Sequence, residues 1–312
     1  MERMPNVVGN IWINSTPLTE KDFKNKVVLI DFWAYTCVNC LKTIPYLKKW
    51  WKKYKDKDFL IIGIHTPEFE FEKREDNVKK AIDKLEIEWP VVLDNDYNNW
   101  NNFANHYWPA KYLTDKQGYI IYTHFGEGAY HETEDKIQEL IGEKTKKKGI
   151  KAVEHVHGQV CFIPTPELYC GYSRGRLSSP QTYTEDIAAD YKMPPVIDKD
   201  SIALMGKFLA RPEYVESCET DSILYVQFHG TEVNLVMEPV EKEAKVQIFF
   251  DNQILLNKTR GKDLDKFGIV NLREAKMYNF LRSSDMVLGL LGIRAEKGNF
   301  RAYAFTFSGC EE

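Results

Sequence analysis

The run Val27-Val28-Leu29-Ile30-Asp31-Phe32-Trp33 passes through Ala34-Tyr35-Thr36 into Cys37-Val38-Asn39-Cys40, with Pro45 five residues on. Seven nearly continuous apolar residues fit a strand covered on both faces, the situation of a central parallel strand. The pattern then turns helical, from about Val38 to Tyr54. The cysteine pair therefore sits where a buried strand hands over to a helix, the context that makes Cys-x-x-Cys a redox motif. A cysteine at a helix N-terminus faces unpaired N–H groups and the positive end of the helix dipole, which favour the thiolate. Cys37 is thus the candidate nucleophile. Cys40, one turn deeper, is the residue that would resolve a mixed disulfide.

Outward from this point, Phe59–Ile64 reads as a second buried strand, and Val78, Ala81, Ile82 and Leu85 form a helical stripe. Beyond Pro109, the runs Lys111–Thr114 and Tyr119–Phe125 flank Asp115-Lys116-Gln117-Gly118, a hairpin signal, and a last helix spans about Glu132–Ile141. Alternating strands and helices with a terminal hairpin predict an α/β layer on a mixed sheet. The second half differs. Ile202–Leu209, Ile223–Phe228, Val233–Met237, Val246–Phe250, Ile254–Leu256, Met286–Ile293 and Arg301–Phe307 are short β-type runs, which predict an all-β sandwich or jelly roll. All seven tryptophans precede residue 110, as two different cores would have it. The expected division is 1–145, a linker at 146–160 that continues the charged Lys144–Lys148 run, and 161–312.

The chain has 312 residues, with 42 Lys+Arg against 46 Asp+Glu and a net charge of −4. That balance gives no reason to expect a nucleic-acid partner. No stretch approaches the roughly 18 apolar residues of a membrane span, so no membrane insertion by this chain is expected. Lacking a signal or membrane segment, the sequence as it stands points to the cytoplasm; a leader ahead of it would point outside. Six cysteines are too few for a disulfide-built scaffold. Cys161, Cys170, Cys218 and Cys310 leave three pairings open, with free buried thiols as the plain alternative.

The segment from Asp31 to Cys40 with Pro45 resembles the thioredoxin active site. His65-Thr66-Pro67-Glu68-Phe69, Leu93-Asp94-Asn95-Asp96-Tyr97, Tyr107-Trp108-Pro109-Ala110-Lys111-Tyr112-Leu113 and His124-Phe125-Gly126-Glu127-Gly128 narrow this to the TlpA-like redoxin domain of DipZ-type thiol–disulfide interchange proteins. Thr165-Pro166-Glu167-Leu168-Tyr169 and Ala304-Phe305-Thr306-Phe307 resemble the jelly-roll, carbohydrate-binding-module-like domain that ends those proteins. The resemblance implies a thioredoxin-like fold with a TlpA-type insertion, matching the 69 residues from Cys40 to Pro109. It implies a redox disulfide between Cys37 and Cys40, a cis-proline at Pro109 shaping the substrate groove, and Asp31 as proton acceptor for Cys40. Trp33, Trp108, His65 and Glu68 are groove or pKa-tuning candidates, the last two by following the second strand at the same sheet edge. It implies protein thiol or disulfide substrates and an upstream reductant that the sequence does not identify. DipZ-type proteins carry a membrane electron-transfer domain ahead of these two, which this sequence does not contain.

Other chemistries fit less well. A zinc site would need a second ligand pair, and the nearest is His155-Val156-His157, over a hundred residues on. No metal or cofactor is expected. A thiol peroxidase of the same fold would carry Thr or Ser three residues before its cysteine and Pro seven before, where this chain has Ala34 and Ile30. A third reading makes the β-domain a capture module for a glycan or protein, through Tyr169, Tyr172, Tyr183, Tyr191, Tyr278 or Tyr303 in the absence of tryptophan.

Overall fold

The structure, a computed structural model, describes residues 2–143, 163–255 and 259–309. The chain divides into two compact units, Met1–His155 and Val156–Glu312. The linker expected at 146–160 lies outside the described residues, as do Cys161 and Cys310.

In the first unit the elements run β1 (Trp12–Ile13), α1 (Glu20–Phe23), β2 (Val27–Trp33), α2 (Val38–Tyr54), β3 (Phe59–His65), a 3-10 turn (Glu70–Lys73), α3 (Glu75–Leu85), β4 (Val91–Leu93), α4 (Asn98–Asn102), β5 (Ala110–Thr114), β6 (Ile120–Phe125) and α5 (Tyr130–Ile141). The sheet order is β1-β4-β3-β2-β5-β6. β2, β3 and β4 are mutually parallel, with Val27 opposite Phe59 and Trp33 opposite His65. β5 and β6 run antiparallel, so the start of β5 lies beside the end of β2, with Ala110 opposite Phe32. Every residue of β2 and β3 is buried, which is why both read as unbroken apolar runs. In α2 the buried residues Cys40, Thr43, Ile44, Leu47, Trp50 and Tyr54 recur at helical spacing. β1, α1, β4 and α4 escaped the sequence reading because each is only two to five residues long.

The second unit is a large all-β domain. Its strands are β7 (Leu168–Tyr169), β8 (Ala188–Tyr191), β9 (Ser201–Ala210), β10 (Val215–Ser217), β11 (Ile223–Pro239), β12 (Ala244–Phe250), β13 (Gln253–Ile254), β14 (Ile269–Leu272), β15 (Lys276–Lys297) and β16 (Phe300–Ser308). The separate runs expected at Ile223–Phe228 and Val233–Met237 are one strand, β11, and Met286–Ile293 is part of the 22-residue β15. Register shifts at Gly230/Glu232 and Val233/Asn234 explain the difference: the Gly-Thr break that reads as a turn stays in the strand, and the extra residues fall on its partner β15. Leu256, expected to end a strand, lies outside the described residues, and the strand there is Gln253–Ile254. The core includes Phe208, Phe228, Phe280, Phe300, Phe305 and Cys170.

Candidate active site

Cys37 is the N-cap of α2, in extended backbone conformation, and its sulfur accepts the Cys40 backbone N–H at 3.1 Å. That N–H belongs to the first helical turn, whose amides have no partner within the helix. The two sulfurs lie at disulfide distance, with Cα atoms 5.2 Å apart. Cys37 is half-buried, whereas Cys40 is only 1% exposed. An incoming sulfur can reach the first cysteine and not the second. Pro45 lies inside α2, where it withholds a donor from the Leu41 carbonyl.

The other residues singled out from the sequence lie on β2 and β3, just beyond β3, or just ahead of β5. The Trp108–Pro109 peptide is cis, and Pro109 is buried. The Trp108 indole donates from Nε1 to the Thr66 carbonyl at 3.0 Å and packs on Trp100, while Thr66 Oγ1 donates to Asp94. The segment after β3 is thereby tied to the loop before β5.

His65 is wholly buried between two rings, stacked on Tyr35 at 5.7 Å and edge-on to Trp33 at 5.1 Å. Its Nε2 accepts the Tyr35 backbone N–H at 3.3 Å. Burial pushes its pKa down to about 3, so the ring is neutral and contributes a hydrogen-bond acceptor rather than a positive charge. Glu68 is half-buried, and its backbone N–H donates to Glu72.

Asp31 is 3% exposed in the middle of β2, with Gly63 opposite it on β3 and Lys111 opposite it on β5. Lys111 is also fully buried, and its Nζ lies 3.9 Å from Asp31 Oδ1, too far for a hydrogen bond. Burial pushes the Asp31 carboxyl up to about 6, partly offset by the Lys111 charge, and burial lowers Lys111 in turn.

Lys111 and Glu72 are the groups that sequence reading missed. Lys111 has one signal: a lysine inside a short strand whose neighbours are all apolar or small. Glu72 has none, because Glu68-Phe69-Glu70-Phe71-Glu72 offers three carboxylates in alternation and no pattern says which is buried.

Among the described residues Cys170 and Cys218 of the second unit have no disulfide partner, and Cys170 lies deep in the core with its pKa raised by burial. Their candidate partners Cys161 and Cys310 lie outside the described residues. Among the described residues no cluster of side chains forms a metal site, and no helix is long and apolar enough to cross a membrane.

A mixed sheet, a helix opened by a Cys-x-x-Cys pair and a cis-proline directly ahead of β5 define a protein of the thioredoxin fold. Residues 2–141 match the redoxin family, and residues 165–308 match the thioredoxin-like C-terminal domain family. The chain is 35% identical over 234 residues to protein DipZ of Mycobacterium tuberculosis, a match covering 72% of this chain and 33% of that protein. It is 26% identical over 141 residues to the thiol-disulfide oxidoreductase YkuV of Bacillus subtilis, covering 45% of this chain and 95% of that protein. It is 28% identical over 120 residues to the thiol-disulfide oxidoreductase ResA of Bacillus cereus, covering 38% and 66%. The chain thus pairs a redoxin domain of the thioredoxin fold with a thioredoxin-like C-terminal domain, as a DipZ/TlpA-like protein. It spans about a third of the length of the DipZ proteins it matches.

Proposed function

We propose that the first unit exchanges electrons with protein disulfides through Cys37 and Cys40. The observation that carries this reading is the cysteine pair itself: a half-exposed sulfur capping a helix N-terminus, with a buried sulfur one turn on. In the reduced protein the Cys37 thiolate attacks one sulfur of a substrate disulfide, forming a mixed disulfide and releasing the first substrate thiolate. Cys40 then loses its proton and attacks the Cys37 sulfur. The Cys37–Cys40 disulfide forms, the second substrate thiolate leaves, and an external dithiol restores the pair. The proton from Cys40 passes to Asp31, whose pKa of about 6 leaves it ionised, yet still basic enough, near neutral pH. Pro109 and Trp108 line the groove in which the substrate chain lies. The substrates are protein thiols and disulfides, and an upstream reductant that the sequence does not identify returns the pair to dithiols.

The deciding measurement is the reduction potential of the Cys37–Cys40 pair, with Cys37→Ser and Cys40→Ser alongside. A value near roughly −270 mV makes the protein a reductase of disulfides, and one near roughly −120 mV makes it an oxidant. Cys37→Ser is expected to lose exchange altogether, and Cys40→Ser to accumulate a mixed disulfide visible by mass spectrometry. A pair that does not cycle overturns the reading.

A further inference from the structure

The carboxylate of Glu72 is wholly buried directly against the turn that delivers Cys37. Its Oε1 accepts the Thr36 backbone N–H at 3.2 Å and the Thr36 hydroxyl at 2.7 Å. Its Oε2 accepts the backbone N–H groups of Glu68 at 2.7 Å and Phe69 at 3.2 Å. Four donors thus fill both oxygens, so only the ionised, acceptor-only form satisfies all of them. A proton on Oε2 would confront two backbone N–H groups that cannot turn away. A proton on Oε1 meets the Thr36 hydroxyl, the single donor of the four that can rotate to accept. Protonation of Glu72 therefore falls on the contact with the residue before Cys37.

We propose that Glu72 is a positioning residue for the Cys37–Cys40 reaction: its carboxylate clamps Thr36, and its protonation state sets how that turn holds Cys37. The inference rests on the redox reading above and adds to it a group in the segment after β3. Two effects act together. The clamp fixes the backbone entering α2, where the Cys37 sulfur takes the Cys40 N–H. The negative charge beside Thr36 also opposes a neighbouring thiolate.

The surroundings of Glu72 make its protonation relevant at working pH. Burial drives its pKa up and the Glu68 charge adds to that, while the Thr36 and backbone donors resist it; the outcome is about 7. From β3, His65 stands neutral. From the turn after β2, Tyr35 packs its ring on Phe71, and Thr36 supplies the donors already named. Asp31, with its pKa near 6, is another buried acid of this unit whose protonation changes close to neutrality.

The test is the pH dependence of Cys37 alkylation by iodoacetamide in the reduced full-length protein. The wild type is expected to show an inflection near pH 7 in addition to that of the thiol. In Glu72→Gln that inflection disappears and the apparent pKa of Cys37 falls by about 1. A folded Glu72→Gln protein with the wild-type profile overturns the proposal. Should that variant fail to fold, Thr36→Val removes one donor and keeps the shape. Carbon-13 titration of the Glu72 carboxyl should then move upward from its wild-type value, with the Cys37 profile moving with it. An unmoved Cys37 profile in Thr36→Val also overturns the assignment. Cycling of the wild-type pair with dithiothreitol is measured in parallel. Failure to cycle removes the redox reading, whereas cycling with an unchanged variant profile removes only the role of Glu72.

Discussion

Asp31 and His65 show how burial dominates charge at this site, and they act on stability with opposite sign. The Asp31 carboxyl has a folded-state pKa near 6 against an ordinary 3.8, so between those values the folded protein holds more protons than the unfolded chain. Its contribution to stability is greatest below pH 4 and is lost as the pH rises to 6. His65, lowered to about 3 from 6.5, holds fewer protons when folded, so its contribution is complete above pH 6.5 and is lost as the pH falls toward 3. The two slopes oppose one another over pH 4–6. Asp31→Asn is therefore expected to make stability rise more steeply with pH across that window, by up to about 3 kcal/mol, as read from urea unfolding at a series of pH values. In stopped-flow single turnovers the same variant should release the second substrate thiolate about 10²-fold more slowly and lose the pH dependence near 6. A resolution rate unchanged by Asp31→Asn would exclude Asp31 as the proton acceptor.

At the scale of elements, the pairing of β2 with β3 is the frame of the site, since it sets Trp33 opposite His65 and Asp31 opposite Gly63. Gly63 is required by close packing. A Cβ there would lie 3.1 Å from Trp33 Nε1, 3.2 Å from Val91 Cγ2 and 3.3 Å from Trp89 Nε1. Two buried indoles and a β-branched side chain have little room to retreat, so Gly63→Ala is expected to cost about 1–3 kcal/mol. Thermal unfolding checks this, and a variant as stable as the wild type would show that the indoles can shift. β2 and α2 were legible from sequence because each carries a complete pattern: an unbroken apolar run for a strand covered on both faces, and a stripe at helical spacing. β11 and β15 were not, since a bulge and a turn both present glycine and polar residues, and only the partner strand distinguishes them.

At the scale of the whole molecule, the two units have separate cores, and every tryptophan belongs to the first. Indole fluorescence therefore reports on the redoxin unit, while the far-ultraviolet β signal is dominated by the second. Phe228 is wholly buried in the β-domain, against Phe307 and Phe250. Phe228→Ala is expected to destabilise that domain by about 3–5 kcal/mol, lowering the circular-dichroism transition and leaving the fluorescence transition in place. Movement of both together would show that the units unfold as one. The sequence by itself determined the division into an α/β and an all-β half and the central strand. It also determined the helix after that strand and the cysteine pair between them, because each of these is written in neighbouring residues. The tertiary structure alone decided that Lys111 lies across from Asp31, that Glu72 reaches the active-site turn, and that His65 is neutral. The reason is physical: burial and pairing of a charged group depend on what distant strands bring against it, and residues adjacent in sequence do not encode that.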